Sequence, residues 1–418
     1  MDRDAADPRI ELPHRRVFDI ADEHAVGPTT HRRIGCENQE MGDSQHSASR
    51  ASADADFVEW NFSIMAESSP WSVEQGMTQL LAHQNAEGFE RPLPDAVQAD
   101  ARVIHELGRR RTPTAVAALR AYQAMSTVDT QRDLARSNAD QLVRHGLPEP
   151  PWANTIGRVR VDGCWWAHDQ FDETAIVLCA FSYDGTHEHA ILTMIDRALG
   201  SGLFRELTLS TQVGPLLDVL RRAEEDPEGL VHEPLDPAYA RRLIEDAAAT
   251  SDELFEDQRY KPTPRPAAYR KMRALTLARA RVLSDAAAPP DPLPDSVELA
   301  LLKRSFLASA AASTLPETDT TRQALDLLLA QIIDQTASHP LHLGPRRTTA
   351  VLGLPTLTTD QIHNPDIGQI LPDVANAWIS WTATERGLSR DATERLEHAT
   401  RQTRTPERST TTEGNETT

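Results

Sequence analysis

The sequence predicts a mostly helical α+β protein with one small antiparallel sheet at about residues 153–213 and disordered termini. Three observations carry this prediction. Apolar residues recur every three or four positions before and after the block, which is typical of amphipathic helices. Inside the block the runs are short, β-branched and partly alternating, which favours strands. The chain has 418 residues, enough to bury a sizeable core without disulfides or structural metals.

Residues 1 to about 55 are polar, are interrupted by Gly, Pro, Ser and His, and follow neither structural period. We therefore predict a disordered leader there. From about 56 to 146 the pattern is helical, with Val97, Ala101, Ile104 and Leu107 on one face. Pro113 is suited to open the next helix. The proline-rich stretch 147–152 ends this N-terminal helical region, because proline cannot continue a helix.

The sheet is predicted from four runs. Alternating Ile156, Val159 and Val161 precede an Asp162-Gly163 turn signal. The runs 174–183 and 190–196 are joined by a short link containing Asp-Gly, which predicts a hairpin. The run 204–211 is the fourth predicted strand.

Helices are predicted again after the strands, near 215–225, 236–252 and 266–284, so that 147–285 combines the sheet with helices. A proline-rich linker at 286–294 opens a C-terminal helical region that extends to about 400. There Val297, Leu301, Leu302 and Phe306 form one apolar stripe, and Trp378 and Trp381 share a helix face. The Thr-rich segment 401–418 predicts a disordered tail.

Composition limits the class of protein. There are 43 basic and 63 acidic side chains, and the formal net charge is −20. This acidic balance argues against a general polyanion binder. No apolar run approaches the ~18–20 residues of a membrane span, and the N-terminus lacks the apolar segment of a secretory signal. Three cysteines without a CxxC pair predict reduced thiols in a cytoplasmic protein.

Four segments together resemble a bacterial family: PPWANTIGRV, the acidic DQFDE, HAILTMID and LPDVANAWISWTATERGLS. They are similar to hypothetical proteins from GC-rich, actinobacterial-type genomes over about residues 147–400. The resemblance implies shared positions at Asp169, Asp172, His189 and Asp196. It implies no activity, because that family has none assigned.

The same four residues belong to the richest polar cluster of the sheet block. In a hairpin that turns at about Asp184-Gly185, residue 172 pairs near Asp196, while the histidines lie by the turn. Two histidines and two carboxylates are suitable ligands for zinc, iron or manganese. Facing carboxylates could instead act as an acid and a base without a metal. The sequence favours a structural interpretation over both of these sites: the aspartates organise a turn and the histidines lie on a solvated hairpin.

A basic segment lies at 259–281, because no acidic residue occurs between Asp257 and Asp285. On a helical wheel Arg270, Lys271, Arg273 and Arg281 share one broad side, and Arg279 falls among the apolar residues opposite. Such a basic face could contact a phosphate backbone. The net charge favours the other interpretation, in which these residues form ion pairs with acidic helices.

No GxGxxG after a strand, GxxxxGK[ST], GxSxG or HExxH motif occurs. The sequence therefore favours a non-enzymatic protein-binding or regulatory module that holds a protein partner. The alternative is a metal-dependent, hydrolase-like enzyme built on Asp169, Asp172, His189 and Asp196, with a divalent transition metal as cofactor. Nucleic-acid binding through 259–281 is the third and least favoured hypothesis, and no membrane contact is expected. Whether the protein is an enzyme, and its oligomeric state, are left open.

Overall fold

The computed structural model describes residues 43–65, 67–84, 93–183, 185–198, 202–222, 229–256, 267–288, 292–353 and 365–404. Within these ranges the chain is mostly helical with one small antiparallel sheet, so the predicted α+β class is confirmed. The chain divides into two compact units. Unit 1 comprises Met1–Ala167, Ala175–Ile195 and Gly202–Ala288, and unit 2 comprises His168–Thr174, Asp196–Ser201 and Pro289–Thr418.

The described part of unit 1 begins with α1 Asp43–Met65, α2 Pro70–Gln84, α3 Leu93–Arg109, α4 Pro113–Met125 and α5 Asp129–Arg144. Pro113 begins α4 as predicted, and the Thr112 hydroxyl caps it by accepting from the backbone N–H of Ala115. Helix α1 starts at Asp43, inside the predicted leader. The leader prediction is therefore wrong from residue 43 onward, because these residues are helical and Ala55 is buried in the core. Residues 1–42 lie outside the described residues.

The sheet contains β1 Arg160–His168, β2 Thr174–Tyr183, β3 Thr186–Asp196, β4 Leu203–Ser210 and β5 Val231–Pro234, in the order β4-β3-β2-β1-β5. The predicted β2–β3 hairpin is confirmed, and Gly185 in its turn has a φ of +77°. The predicted turn at Asp162-Gly163 is wrong, because β1 runs through it. Gly163 suits a strand here, since the Trp165 ring covers the side where a Cβ would lie.

Strand β2 is buried on both faces. One face contributes Ala175, Val177, Cys179 and Phe181 to the core formed with the helices of unit 1. The other contributes Ile176, Leu178 and Ala180 to a second core. That second core includes residues of α6 Val213–Arg222. The described part of unit 1 also contains α7 Pro237–Glu256 and α8 Ala267–Ala280. Strand β2 is thus shared by two apolar layers.

Unit 2 contains α9 Ser296–Leu307, a 3₁₀ turn at Ala310–Ala312, α10 Asp319–Thr336, α11 Pro345–Gly353, α12 Pro365–Glu385 and α13 Arg390–Arg404. Trp378 and Trp381 are buried in its core with ring centroids 4.8 Å apart, as their spacing predicts. The predicted single apolar stripe of α9 is wrong, because its residues lie on two opposite sides of the helix. Phe306 is fully buried, whereas Val297 and Leu301 are 66% and 53% exposed. Helix α13 reaches into the predicted tail, and residues 405–418 lie outside the described residues.

Candidate functional site

The turn that precedes β2 is organised by Asp169. Its Oδ1 accepts the backbone N–H of Phe171 at 2.7 Å and of Glu173 at 3.1 Å. The next aspartate, Asp172, has a φ of 58°, a left-handed conformation that aspartate tolerates better than most residues. Both residues therefore have a role in local chain geometry.

The predicted aspartates of unit 2 lie among arginines that the sequence analysis did not single out. Asp172 forms an ion pair with Arg197, and Asp196 forms one with Arg346. Arg347 donates to the backbone carbonyls of Phe171, Asp172 and Arg197. We call this group the arginine–carboxylate cluster; its members are Asp169, Asp172, Glu173, Asp196, Arg197, Arg346 and Arg347.

Glu173 connects this cluster to helix α11. Its two carboxylate oxygens accept the backbone N–H groups of Arg346 at 3.0 Å and Arg347 at 2.7 Å, in the first turn of the helix. A carboxylate at this position satisfies free N–H groups and complements the helix dipole. Burial raises the pKa of Glu173 to about 6, while the charge of Arg347 opposes the increase. Burial also raises the pKa of Asp169.

The arginine–carboxylate cluster has a structural role, because its contacts hold the start of α11 against the segments 168–174 and 196–198. Within the described ranges, no three His, Cys, Asp or Glu residues are grouped so as to hold a metal ion. The metal site built on Asp169, Asp172, His189 and Asp196 stays a prediction.

His189 belongs to unit 1, on β3, and is fully buried. Its Nε2 accepts from Nε of Arg279 at 2.8 Å, and its Nδ1 lies 3.0 Å from the carbonyl oxygen of His187. Burial lowers the pKa of His189 to about 4, and the positive charge of Arg279 acts in the same direction. The expectation that it lies on a solvated hairpin is wrong, because the Trp71 ring covers the imidazole at a centroid distance of 4.2 Å.

Arg279, the residue that did not fit the helical wheel, is the centre of a buried polar network. It forms an ion pair with Glu74, and both side chains are at most 1% exposed. Its Nη2 also contacts the hydroxyl of Tyr183 at 3.2 Å. The other oxygen of Glu74 accepts the N–H of Gly157 at 2.7 Å. A charged pair at this depth needs such additional hydrogen bonds to offset its desolvation.

The basic segment is largely engaged inside unit 1. Arg273 binds the carboxylate of Asp252 at 2.6 Å. Arg281 donates to the carbonyl oxygen of Ala124 at 3.0 Å, and burial lowers its pKa to about 10. Arg270 is half-buried and Lys271 is exposed; residues 259–265 lie outside the described residues. Of the four predicted surface cations, Lys271 alone is fully on the surface.

Helix α1 carries a feature that the sequence analysis missed. Its inner face buries Ala55, Val58 and Phe62, whereas a second set of apolar residues points to solvent. This outer stripe of α1 consists of Phe57, Trp60 and Ile64, which are 50%, 57% and 64% exposed. The Phe57 and Trp60 rings stack at 6.4 Å with an interplanar angle of 23°. Two interleaved apolar repeats in one helix are the sequence signal that could have revealed it.

The outer stripe lies on a firmly anchored helix. Arg110 of the neighbouring segment binds Asp56 at 2.6 Å, Glu59 at 2.7 Å and the backbone carbonyl of Ser52 at 2.9 Å. The hydroxyl of Thr114 also donates to Glu59, at 2.9 Å. These bonds hold α1 against the segment that joins α3 to α4 and against the first turn of α4. The exposed aromatic rings therefore sit on a preorganised surface rather than on a loose segment.

No protein-family model, curated protein or solved structure matches this chain. Among the helices that the structure describes, none combines the length and the apolarity needed to cross a membrane.

Proposed function

We propose that this protein is a non-enzymatic protein-binding module and that the outer stripe of α1 is its binding face. The observation that carries the proposal is the exposure of Phe57, Trp60 and Ile64 side by side on an anchored helix. Single exposed apolar residues are ordinary, but contiguous ones, and aromatic ones above all, are enriched in protein interfaces. Trp is also one of the residue types enriched at energetic hot spots.

The spacing of the stripe favours a helical partner. Positions 57, 60 and 64 repeat at three and four residues, which is the seam that a second helix packs against. The stripe is flanked by Asp54 and Asp56, and the Asp56 side chain is 70% exposed although it also binds Arg110. Together with the net charge of −20, this favours a partner helix whose apolar face is bordered by Lys or Arg.

The other hypotheses have less support. A hydrolase-type metal site would require Asp172 and Asp196 to exchange their ion pairs with Arg197 and Arg346 for a metal. Nucleic-acid binding would require Arg273 and Arg281 to leave their partners inside unit 1. A cytoplasmic location belongs to the proposal as well, and the free thiols of Cys164 and Cys179 support it.

Site-specific photo-crosslinking tests the binding face. A benzophenone amino acid at Ser63, an exposed position beside the stripe, should capture a partner in cells, whereas the same group at exposed Arg136 on α5 should not. The captured protein is then purified and titrated against the wild type and Trp60→Asp. We expect Trp60→Asp to weaken binding at least about tenfold. Equal capture from both positions, or unchanged affinity of Trp60→Asp, contradicts the proposal.

Elemental analysis separates this proposal from the hydrolase alternative. A near-stoichiometric transition metal in the untagged protein that is lost in Asp172→Ala would favour the enzyme. Under the proposal, Asp172→Ala changes stability through the lost Arg197 ion pair and leaves partner binding at α1 intact.

A further inference from the structure

We propose that the exposed face of α9 binds a second copy of this chain, with the two α9 helices antiparallel about a two-fold axis. This inference is independent of the outer stripe of α1, because it depends on a different helix in the other unit.

Helix α9 presents aliphatic side chains to solvent although it is well fixed. Val297 and Leu301 lie one turn apart and are 66% and 53% exposed, and Leu293, just before the helix, is 49% exposed. The opposite side of the helix buries Phe306 against the Trp378 ring, with centroids 5.1 Å apart. The N-terminus is capped by Asp295, whose Oδ1 accepts the N–H of Val297 at 2.9 Å.

The charges on α9 fit a second copy. Glu298 and Arg304 are both exposed, and each lies three residues from Leu301, on opposite sides of it in the sequence. In an antiparallel pair centred on Leu301, Glu298 of each copy lies opposite Arg304 of the other. One pair of residues thus yields two ion pairs, which is the self-complementarity that a two-fold interface requires. In a parallel pair centred on Leu301, Glu298 would instead lie beside Glu298.

The size of the face sets the expected strength. A helix of 12 residues is about 18 Å long. A single pair of helices this short buries less than the ~1,600 Å² of a standard interface. We therefore expect a dimer with a dissociation constant in the micromolar range.

Sedimentation equilibrium of the full chain, from about 1 to about 200 µM, covers the dissociation constants expected for such an interface. The wild type should dimerise within this range, and Leu301→Glu should weaken the dimer at least about tenfold. Glu298→Arg and Arg304→Glu should each weaken it, because each places like charges opposite one another. The double swap Glu298→Arg with Arg304→Glu should restore it, since both ion pairs re-form in reversed sense.

Trp60→Asp is the matched control on the other exposed helix and should leave the dimer unchanged, which keeps this test separate from the proposed function. Circular dichroism melting shows that each variant is folded. A wild type that is monomeric throughout overturns the inference. So does a dimer that is insensitive to Leu301→Glu, or a double swap that is no better than the single variants.

Discussion

Arg279 donates its Nε–H to Nε2 of His189 across 2.8 Å, where the arginine is 1% exposed and the histidine is fully buried. The imidazole must be neutral to accept this bond, and it then carries its proton on Nδ1, toward the carbonyl oxygen of His187. The negative charge that balances Arg279 comes from Glu74. A second proton on His189 would therefore break the bond and add positive charge inside the core.

Stability should fall as the pH is lowered through the range between the two pKa values of His189. Its pKa is about 4 in the folded protein against 6.5 in the unfolded chain. The unfolded state then binds more protons, so the stabilisation is complete above pH 6.5 and is lost toward pH 4. The full loss is about 3 kcal/mol. Urea denaturation across this pH range measures it.

His189→Gln is the test variant, because a glutamine oxygen can accept from Arg279 but does not titrate. Its stability should depend less on pH than that of the wild type, whereas exposed His145→Gln should behave like the wild type. Identical pH slopes in wild type and His189→Gln would contradict the assignment.

Removing one member of the buried ion pair should cost more than removing both. Arg279→Met keeps most of the side-chain volume but leaves the Glu74 carboxylate uncompensated, so we expect a loss of about 3–5 kcal/mol. Adding Glu74→Gln to this variant should recover part of the loss. A double-mutant cycle from chemical denaturation measures the coupling. Strictly additive effects would show that the two charges do not depend on each other.

Asp100→Asn should stabilise the protein at alkaline pH. Burial, followed by repulsion from Asp54, raises the pKa of Asp100 from 3.8 to about 7. The folded state holds a proton that the unfolded state releases, so stability is lost as the pH rises from 3.8 to about 7. Asparagine removes this penalty, which is roughly 4 kcal/mol when complete. The gain in stability should disappear at acidic pH. Asp133→Asn, on the surface of α5, is the control and should show no gain at acidic or alkaline pH.

Gly344→Ala should destabilise the protein because the added Cβ has no space. It would lie 2.4 Å from Cδ of Glu173 and 2.6 Å from Cβ of Phe171. Glu173 cannot move away without losing its bonds to the first turn of α11. We expect a cost of about 1–3 kcal/mol in thermal or urea unfolding. Gly214→Ala, where a Cβ meets no atom within 4 Å, is the matched control and should be close to neutral.

The two faces of α1 should respond differently to truncation. Phe62 is fully buried, so Phe62→Ala should cost about 3–5 kcal/mol. Trp60→Ser on the outer stripe should change the free energy of unfolding by no more than about 0.5 kcal/mol. The free energy of unfolding in urea distinguishes them. A comparable loss in the free energy of unfolding at both positions would mean that Trp60 stabilises the fold, which contradicts its assignment to a binding face.

The local patterns predicted the α+β class and the β2–β3 hairpin, because β-branched runs and an Asp-Gly link act over few residues. The predicted turn at Asp162-Gly163 is wrong because β1 continues through these residues. The Trp165 ring covers the space beside Gly163 that a side chain would otherwise fill. The arginines of the arginine–carboxylate cluster could not be inferred, because Arg346 and Asp196 are 150 residues apart. Arg279 was recognisable as unusual on its helix, but its partner Glu74 is 205 residues away.

Periodicity also indicates which residues share a helix face without indicating what covers that face. Both sides of α9 carry apolar residues, yet Val297 and Leu301 on one side are exposed and Phe306 on the opposite side is buried. In the same way, His187 and His189 share a predicted strand face, but only His189 lies under the Trp71 ring. Burial is a property of the neighbouring elements, which a single segment does not encode.

The burial of β2 on both of its faces determines how unit 1 unfolds. Val177 belongs to one apolar layer and Leu178 to the other, so neither layer can be exposed to water without disturbing the strand that both share. Unit 1 should therefore melt in one cooperative transition rather than layer by layer. In amide hydrogen exchange, the β2 amides should be among the last to exchange, at the free energy of global unfolding.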